Sequence, residues 1–301
     1  MKIRSPEAVN KIVTAVLATQ EKDAIEAGAL AYMPRSVVMV SFPHSKPDGL
    51  IYHSKNGNFS LTMMANPEFG LPYGSLARLL IAWLVRQVKL TQSRVIYLGE
   101  TFASFLREFN LSQSGGKRGD ATYLRDQMQR LFTTSISWVY HNKKEGICQG
   151  ENFPVANSFQ LWWDPVKITE NQCLFHATIT LSEEFYKELM KCPIPVDFRV
   201  LQALRRSPLQ IDIYVWLTYR LPYLECETFI SWKGLRPQFG ANYANSAQGL
   251  RDFKKQFLKA LHIVQLFYEK AEVTPKNDGI WLYNSPPHIK RQADRRECRA
   301  A

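Results

Sequence analysis

The sequence lacks any hydrophobic run long enough to cross a lipid bilayer. Its longest run, LLIAWLV, lies between Arg78 and Arg86 and is far shorter than the ~20 apolar residues that a helical span needs. The first residues, MKIRSPEAVNKIV, also lack the apolar core and cleavage pattern of a signal peptide. We therefore expect no membrane partner and a cytoplasmic location.

Cysteine is scarce and follows no spacing. The chain has five cysteines, an odd number, and they form no Cys-x-x-Cys pair. This pattern argues against a disulfide framework and against the common zinc sites, so we expect reduced thiols of a cytosolic protein. The cysteines are Cys148, Cys173, Cys192, Cys226 and Cys298.

Motifs of catalysis and cofactor binding are missing as well. The six histidines include no His-x-His pair, and no GxxxxGK[ST] loop for nucleotide binding is present. The adjacent carboxylates Glu183 and Glu184 are better explained as the start of a short helix capped by Ser182. The sequence therefore predicts no enzymatic activity, no cofactor and no metal site.

Acidic residues are outnumbered by basic ones. The 301-residue chain has 38 Lys and Arg against 27 Asp and Glu, a formal net charge of +11 and a pI of about 9.4. Such a surplus favours an anionic partner, either nucleic acid or an anionic membrane surface. Hydrophobic residues make up 46% of the chain, and its length suits two ordinary domains.

The stretch from Tyr243 to Val264 has the periodicity of an amphipathic helix. Its apolar stripe consists of Leu250, Phe253, Phe257, Leu261 and Val264. Its opposite face consists of Gln248, Arg251, Lys255, Lys259 and His262. Such a helix packs on a core and presents long polar side chains outward. Taken alone, this face is equally well explained as a solvated surface.

The same helical design occurs twice in the chain. Each copy has an apolar helix, a short helix, a Gly/Asn loop, a basic amphipathic helix and a β-hairpin, in that order. Leu124-Arg125-Asp126 matches Leu250-Arg251-Asp252, which places the first basic helix at about residues 120–132. In this first copy the three possible strands are SISWVYH, FQLWW and LFHATITL.

Three helices followed by a hairpin is the order of a winged helix, whose third helix lies in the DNA major groove. We predict an α+β, mainly helical chain with two tandem winged-helix (helix-turn-helix) domains. Asn56-Gly57, between two alternating runs, predicts a further hairpin ahead of the first copy. The predicted segments are 1–45 (a helix over Glu7 to Ala27 and an extended segment), 46–192 (first winged helix), 193–285 (second winged helix) and 286–301 (basic tail).

Several motifs resemble plasmid-encoded replication initiators of the RepA type. They are NGNFSLTMMANPEFGLPYGSLARLLIAWL, LGETFASFLREFNL, SGGKRGDATYLRDQMQRLF, SPLQIDIYVWLTYRL and ISWKGLRPQFG. Together they span roughly residues 56–264, and the first block is more specific than a generic winged helix. Residues 1–41 and the tail lie outside these motifs.

The resemblance implies a bacterial DNA-associated protein that binds repeated sites (iterons) at a plasmid origin and helps to open an adjacent AT-rich segment. It also implies recruitment of the host replication initiator and the replicative helicase, self-association as a dimer, and repression of the protein's own gene. In this family pattern the second winged helix is the main sequence reader, and the first mediates dimerisation with added DNA contact. The Trp162-Trp163 pair is a candidate dimer surface.

The predicted DNA contacts fall in both copies. Arg251 suits the bidentate contact to guanine, whereas lysines at other angles suit phosphates. Asp252 either orients Arg251 or accepts from a cytosine amino group. In the second copy the contacts are Asn245 and Ser246 before the helix, Gln248, Arg251, Lys254, Lys255 and Lys259 on it, and Lys270 and Lys276 in the wing. In the first copy they are Lys117, Arg118, Thr122, Arg125 and Gln129.

Three other functions are compatible with this sequence to different degrees. A dedicated winged-helix repressor would use the same chemistry at DNA. A protein-binding scaffold would use the helices for a partner instead. A nicking (rolling-circle) initiator is disfavoured because it needs a His-x-His metal pair that the sequence lacks.

Overall fold

A computed structural model describes residues 6–114, 116, 119–161, 177–191 and 193–289, without the side chains of residues 6–9. The chain is α+β, and helices (44% of residues) outweigh strands (23%), which confirms the predicted class. Two compact units are present. The central unit is Pro34–Pro193, and the C-terminal unit combines Met1–Met33 with Ile194–Ala301.

Helices and short strands are interspersed along the described residues. The helices are α1 (Pro6–Glu21), α2 (Arg35–Met39), α3 (Gly74–Thr91), α4 (Phe102–Glu108), α5 (Asp120–Phe132), α6 (Glu183–Met190), α7 (Phe198–Ala203), α8 (Pro208–Arg220), α9 (Trp232–Phe239) and α10 (Ala247–Phe267). The strands are β1 (Leu30–Met33), β2 (Ile51–Asn56), β3 (Phe59–Met64), β4 (Val95–Tyr97), β5 (Ser135–Asn142), β6 (Ile147–Pro154), β7 (Ala156–Gln160), β8 (Thr178–Leu181), β9 (Ile194–Asp197), β10 (Thr228–Ser231), β11 (Val273–Pro275) and β12 (Gly279–Leu282).

The N-terminal 45 residues do not form a separate segment. Strand β1 pairs antiparallel with β9, so residues up to Met33 belong to the C-terminal unit. Helix α1 ends at Glu21, earlier than the predicted Ala27. The predicted extended segment contains α2, where Val37 and Val38 are buried, because burial outweighs the strand preference of β-branched residues.

The predicted Asn-Gly hairpin is confirmed. Strands β2 and β3 pair from Ile51 with Met64 to Asn56 with Phe59, so the two turn residues are Gly57 and Asn58, one position later than predicted. Gly57, at the first turn position, has a positive φ of +59°. The hairpin continues into a four-stranded sheet of order β2-β3-β5-β6. Strand β6 was not predicted, because most of its residues are exposed and its sequence has no clear alternation of apolar residues.

Both units repeat one arrangement of helices and strands. In the C-terminal unit, α8, β10, α9, α10, β11 and β12 follow one another, and the sheet order is β10-β12-β11. In the central unit, α3, β4, α4 and α5 are followed by β7 and β8, and the sheet order is β4-β8-β7. The internal repeat inferred from the sequence therefore has a counterpart in strand order.

One predicted strand of the first copy belongs to a different sheet. Strand β5, the SISWVYH segment, pairs with β3 and β6 instead of joining the hairpin of the repeat. Ile136 is buried opposite Met63, so burial against the earlier hairpin decides its partner. The β5–β6 hairpin is thus an insertion after α5. Trp162 and Trp163 lie outside the described residues.

The helices of each repeat pack through equivalent aromatic residues. Trp83 of α3 lies 6.1 Å from Phe109 between ring centroids, and Trp216 of α8 lies 5.2 Å from Phe239. All four side chains are buried, so the two tryptophans are core residues. This packing joins the first helix of each repeat to the second.

Candidate nucleic-acid interface

The start of α10 is fixed by a side-chain cap and a close backbone approach. Ser246 is the N-cap, and its hydroxyl accepts from the backbone N–H of Gly249 at 3.0 Å. A Cβ at Gly249 would lie 2.1 Å from the carbonyl oxygen of Ala244. Glycine therefore lets the preceding loop lie directly against the first turn of the helix.

One face of α10 is buried in the core of the C-terminal unit. The buried residues include Phe253, Phe257, Leu261 and Val264, which confirms the predicted stripe except for the half-buried Leu250. Phe257 contacts the rings of Trp232 and Phe239, at centroid distances of 5.7 and 5.6 Å. This packing fixes which side of the helix faces outward.

The opposite face of α10 is exposed and basic. Gln248, Arg251, Lys255 and Lys259 are all exposed, as is the acidic Asp252 between them. The residues at i, i+3, i+7 and i+11 share one side of a helix. The structure therefore brings together the four side chains that the sequence placed on this face.

Three of these side chains form a hydrogen-bonded network. The amide nitrogen of Gln248 lies 3.1 Å from both carboxylate oxygens of Asp252. Its carbonyl oxygen accepts from Nε and Nη2 of Arg251, at 3.2 and 2.9 Å. Asp252 thus acts on Arg251 through Gln248, an intermediary that the sequence did not indicate.

Asn245 is held by an arginine that the sequence did not assign to the site. Nη2 of Arg236, on α9, donates to the side-chain oxygen of Asn245. Asn245 is therefore an anchor for the loop before α10, while Ser246 is the cap. One sequence signal for this position exists, since Leu235-Arg236 repeats the Leu106-Arg107 pair of the first copy. Lys233, also on α9, is a further exposed cation that was missed.

Lys254 contacts the protein itself. Its ammonium donates to the backbone carbonyl of Asn277 at 2.8 Å and lies 5.5 Å from the centre of the Trp232 ring. The indole N–H of Trp232 also donates to Asn277, at 3.0 Å. These contacts tie the β11–β12 turn to α9 and α10, so the predicted phosphate contact of Lys254 competes with a structural role.

The two lysines predicted in the wing lie at different places. Lys276 is exposed in the β11–β12 turn, where its backbone N–H donates to the Gly279 carbonyl at 2.8 Å. Lys270 follows the C-terminal end of α10, which continues to Phe267. A helix of 21 residues is about 30 Å long. Lys270 is therefore far from Gln248.

Helix α5 of the central unit presents a more covered face. Its observed bounds agree with the predicted ones, but Thr122, Arg125 and Gln129 are only half-exposed. The guanidinium of Arg125 lies 5.0 Å from the centre of the Phe102 ring. Lys117 and Arg118 lie outside the described residues. DNA contact by this set remains a prediction.

The acidic residue of α5 also has a different partner. Asp126, which matches Asp252, forms an ion pair with Arg130 at 2.8 Å. Nη1 of Arg130 donates to the Leu71 carbonyl at 3.4 Å, and Gln127 accepts from the backbone N–H of Tyr73 at 2.8 Å. The polar residues of α5 therefore hold the loop that precedes α3.

Tyr123 lies in the first turn of α5, and Tyr243 lies in the loop before α10. Burial, followed by the neighbouring Tyr73 and Asp126, raises the pKa of Tyr123 to about 12. Burial and then Asp252 raise the pKa of Tyr243, whose ring lies 5.7 Å from that of Phe253. Both phenols are neutral at physiological pH, so they add no negative charge to either surface.

A family model of plasmid-encoded RepA proteins matches residues 71–233. The chain belongs to this family of plasmid replication proteins. The match covers more than half of the RepA-family chain and runs from the start of the LPYGS segment to the first turn of α9. Helix α10 follows the matched residues, so its role rests on its own geometry.

Among solved structures, the RepA-family chain is similar to the crystal structure of RctB domains 2–3. The sequence identity is 11% and the TM-score 0.47, with coverage of 82% of this chain and 94% of that one. No curated protein sequence matches the chain. None of the helices in the described ranges combines the length and hydrophobicity needed to span a bilayer.

Proposed function

We propose that this RepA-family protein is a plasmid replication initiator that binds repeated double-stranded sites (iterons) at the plasmid origin. Family membership supports the replication role. The exposed face of α10, with Arg251, Lys255 and Lys259 opposite a buried aromatic stripe, is the observation that carries the DNA-binding role. The net charge of +11 supports an anionic partner.

We assign both units to the winged-helix class. In each, a strand between the first and second helices pairs with the last strand of a hairpin that follows the third helix. This connectivity supports a helix-turn-helix core with a wing. In the C-terminal unit α10 is the recognition helix and the Lys276 turn is the wing.

The side chains of the recognition surface divide between two tasks. Arg251 and Lys255, one turn apart, reach base edges, and arginine suits guanine. Lys259 and Lys276 contact phosphates, which position the protein without specifying sequence. The anchored loop before α10 keeps the first turn fixed when DNA is bound.

The finer family functions are part of this proposal. They are opening of an AT-rich segment, recruitment of the host initiator and replicative helicase, and repression of the protein's own gene. We assign self-association as a dimer to the central unit, where the paired Ile51 and Met64 are both exposed (66% and 47%). Exposed apolar pairs of this kind are typical of interaction surfaces when they join a larger patch.

A binding experiment with origin DNA tests the proposal. The full-length protein is titrated against duplexes that carry the direct repeats upstream of its gene, with shuffled duplexes of equal composition as controls. We expect a sequence-specific shift whose affinity falls with salt at a logarithmic slope of about −0.9 per phosphate contacted. Equal affinity for shuffled duplexes contradicts the proposal, and a flat salt dependence favours a protein-binding scaffold.

A dedicated repressor uses the same chemistry at DNA, so binding cannot separate it from an initiator. A plasmid-maintenance assay separates the two functions. A replicon that carries the repeats and the adjacent AT-rich block but lacks its own initiator gene is transformed into cells that express the protein from a second plasmid. Maintenance that depends on this expression supports the initiator, and specific binding without maintenance supports the repressor.

A further inference from the structure

The geometry points to separate roles for the three polar side chains at the start of α10. We propose that Gln248 and Asp252 are positioning residues, which hold the Arg251 guanidinium in the orientation that selects guanine in the major groove. The inference rests on the proposed function of α10 as a DNA reader. Under this inference Gln248 does not contact a base, and the role of Asp252 on the basic surface is to help to position Arg251.

Only one edge of the Arg251 guanidinium is hydrogen-bonded to Gln248. Nε and Nη2 both donate to the Gln248 carbonyl oxygen, at 3.2 and 2.9 Å. A guanidinium carries five N–H donors in a rigid plane. The end-on edge, made by Nη1 and the second N–H of Nη2, is a different side of that plane. Its two parallel N–H groups match O6 and N7 of guanine.

The carbonyl oxygen and the amide nitrogen of the Gln248 side chain are both hydrogen-bonded within the protein. Bidentate recognition of adenine needs the carbonyl oxygen and the amide nitrogen of a glutamine together. The oxygen accepts from Arg251, and the nitrogen lies 3.1 Å from each carboxylate oxygen of Asp252. If the Gln248 amide were flipped, its N–H groups would face those of Arg251 and its oxygen would face the Asp252 carboxylate. The network therefore fixes the amide orientation described above.

The carboxylate of Asp252 completes the arrangement. A carboxylate on a phosphate-facing surface weakens DNA binding by repulsion, so its presence there needs a compensating role. Gln248 and Asp252 are one helical turn apart, the spacing at which side chains meet. The charged acceptor strengthens the hydrogen bond from the amide. Arg251 is thereby ordered before DNA arrives and loses less freedom on binding.

The corresponding helix of the central unit has different contacts at the matching arginine and aspartate. Thr122 and Arg125 occupy the places of Gln248 and Arg251, and Asp126 pairs with Arg130 instead. Arg125 lies over the Phe102 ring instead, with its guanidinium 5.0 Å from the ring centre. Guanine selection by an ordered arginine is therefore specific to the C-terminal unit.

The test uses the full-length protein and a probe obtained by selection. A random-sequence duplex library is selected for binding, and the consensus duplex becomes the fluorescent probe. Each guanine is replaced in turn by 7-deazaguanine, which lacks the N7 acceptor, or by inosine, which keeps the major-groove acceptors. At one guanine we expect 7-deazaguanine to weaken binding by roughly 5-fold or more and inosine to have no comparable effect.

The variants separate positioning from direct contact. Arg251→Ala should abolish the 7-deazaguanine penalty at that guanine. Gln248→Leu and Asp252→Asn should each reduce the penalty, while Asp252→Asn also raises affinity for unrelated duplexes because a negative charge is removed. Lys259→Ala, an exposed cation on the same face, should weaken every duplex alike and leave the penalty unchanged.

Two results would overturn the inference. One is a full 7-deazaguanine penalty in both Gln248→Leu and Asp252→Asn. The other is loss of selectivity at an A·T pair in Gln248→Leu, with a matching 7-deazaadenine effect in the wild-type protein, since this would make Gln248 a reader. Failure of the library to yield any consensus contradicts the proposed function instead. Thermal melts of each variant, expected to match the wild type for these exposed positions, show that the protein is folded.

Discussion

The ammonium of Lys254 lies 2.8 Å from the backbone carbonyl oxygen of Asn277. This bond joins the third helix of the C-terminal unit to the turn of its β-hairpin. Since the same carbonyl accepts from the indole of Trp232, the helix and the turn are held in one geometry. In the proposed DNA complex, the helix and this turn would therefore act as one rigid surface.

The Lys254 contact predicts a stability effect that other lysines on α10 do not share. Lys254→Ala should lower the free energy of unfolding by about 1–2 kcal/mol, because it removes a charge-assisted hydrogen bond and a contact with the Trp232 ring. Lys259→Ala should change it by less than about 0.5 kcal/mol, as expected for an exposed side chain. Urea unfolding measures both. Equal stabilities would show that the Lys254 contact is not made in solution.

The two ends of α10 should differ in their effect on DNA binding. Arg251→Ala and Lys255→Ala should each cost about 1–3 kcal/mol of binding free energy if they reach base edges. Lys270→Ala should leave affinity unchanged, because it lies beyond the far end of α10, a helix about 30 Å long. Fluorescence anisotropy at fixed salt compares the three. A loss with Lys270→Ala as large as with Arg251→Ala would place the DNA elsewhere.

Acid should destabilise the C-terminal unit through His288. Burial lowers the pKa of His288, opposed by Asp197 and by the backbone carbonyl of Phe267, with Arg199 acting in the same direction as burial. Its Nδ1 lies 2.8 Å from the Tyr214 hydroxyl, which accepts from the backbone N–H of Asp197. A neutral imidazole can accept the hydroxyl proton at Nδ1, whereas a protonated imidazole carries an N–H there.

The sign of this pH effect follows from the lowered pKa. The unfolded chain takes up the proton first, so the contribution of His288 is intact above its ordinary value of 6.5 and is lost as the pH falls below it. The slope is at most about 1.4 kcal/mol per pH unit. Urea unfolding at pH 7.5, 6.5 and 5.5 measures it. His288→Gln should flatten the dependence, and an unchanged slope in that variant would assign the effect to other groups.

Two glycines with positive φ should respond differently to alanine. Gly57 has φ +59° and open space where a Cβ would stand, whereas a Cβ at Gly74, with φ +72°, would lie 2.6 Å from the Tyr123 hydroxyl. Gly57→Ala should cost about 1–2 kcal/mol from backbone strain alone. Gly74→Ala should cost more, and Tyr123→Phe should recover part of the excess. Equal costs at both positions would contradict the close contact with Tyr123.

Local sequence determined much of the fold of this protein. Gly57, between two alternating runs, determined a hairpin, because few residues other than glycine adopt the positive φ of its turn. The spacing of Phe253, Phe257 and Leu261 determined the buried side of α10, since a helix returns to the same face every 3.6 residues. The same spacing determined the basic face on the opposite side of α10.

Only the tertiary structure decided which of those basic and polar side chains are available for DNA contact. Lys254 bonds a carbonyl 23 residues away, Asn245 bonds Arg236 of another helix, and Arg125 lies over Phe102. Periodicity specifies the side of the helix from which a side chain projects. The contact partners of that side chain belong to segments that are distant in sequence and become neighbours only in the folded core. The partner of β5 was decided in the same way, by burial of Ile136 beside Met63.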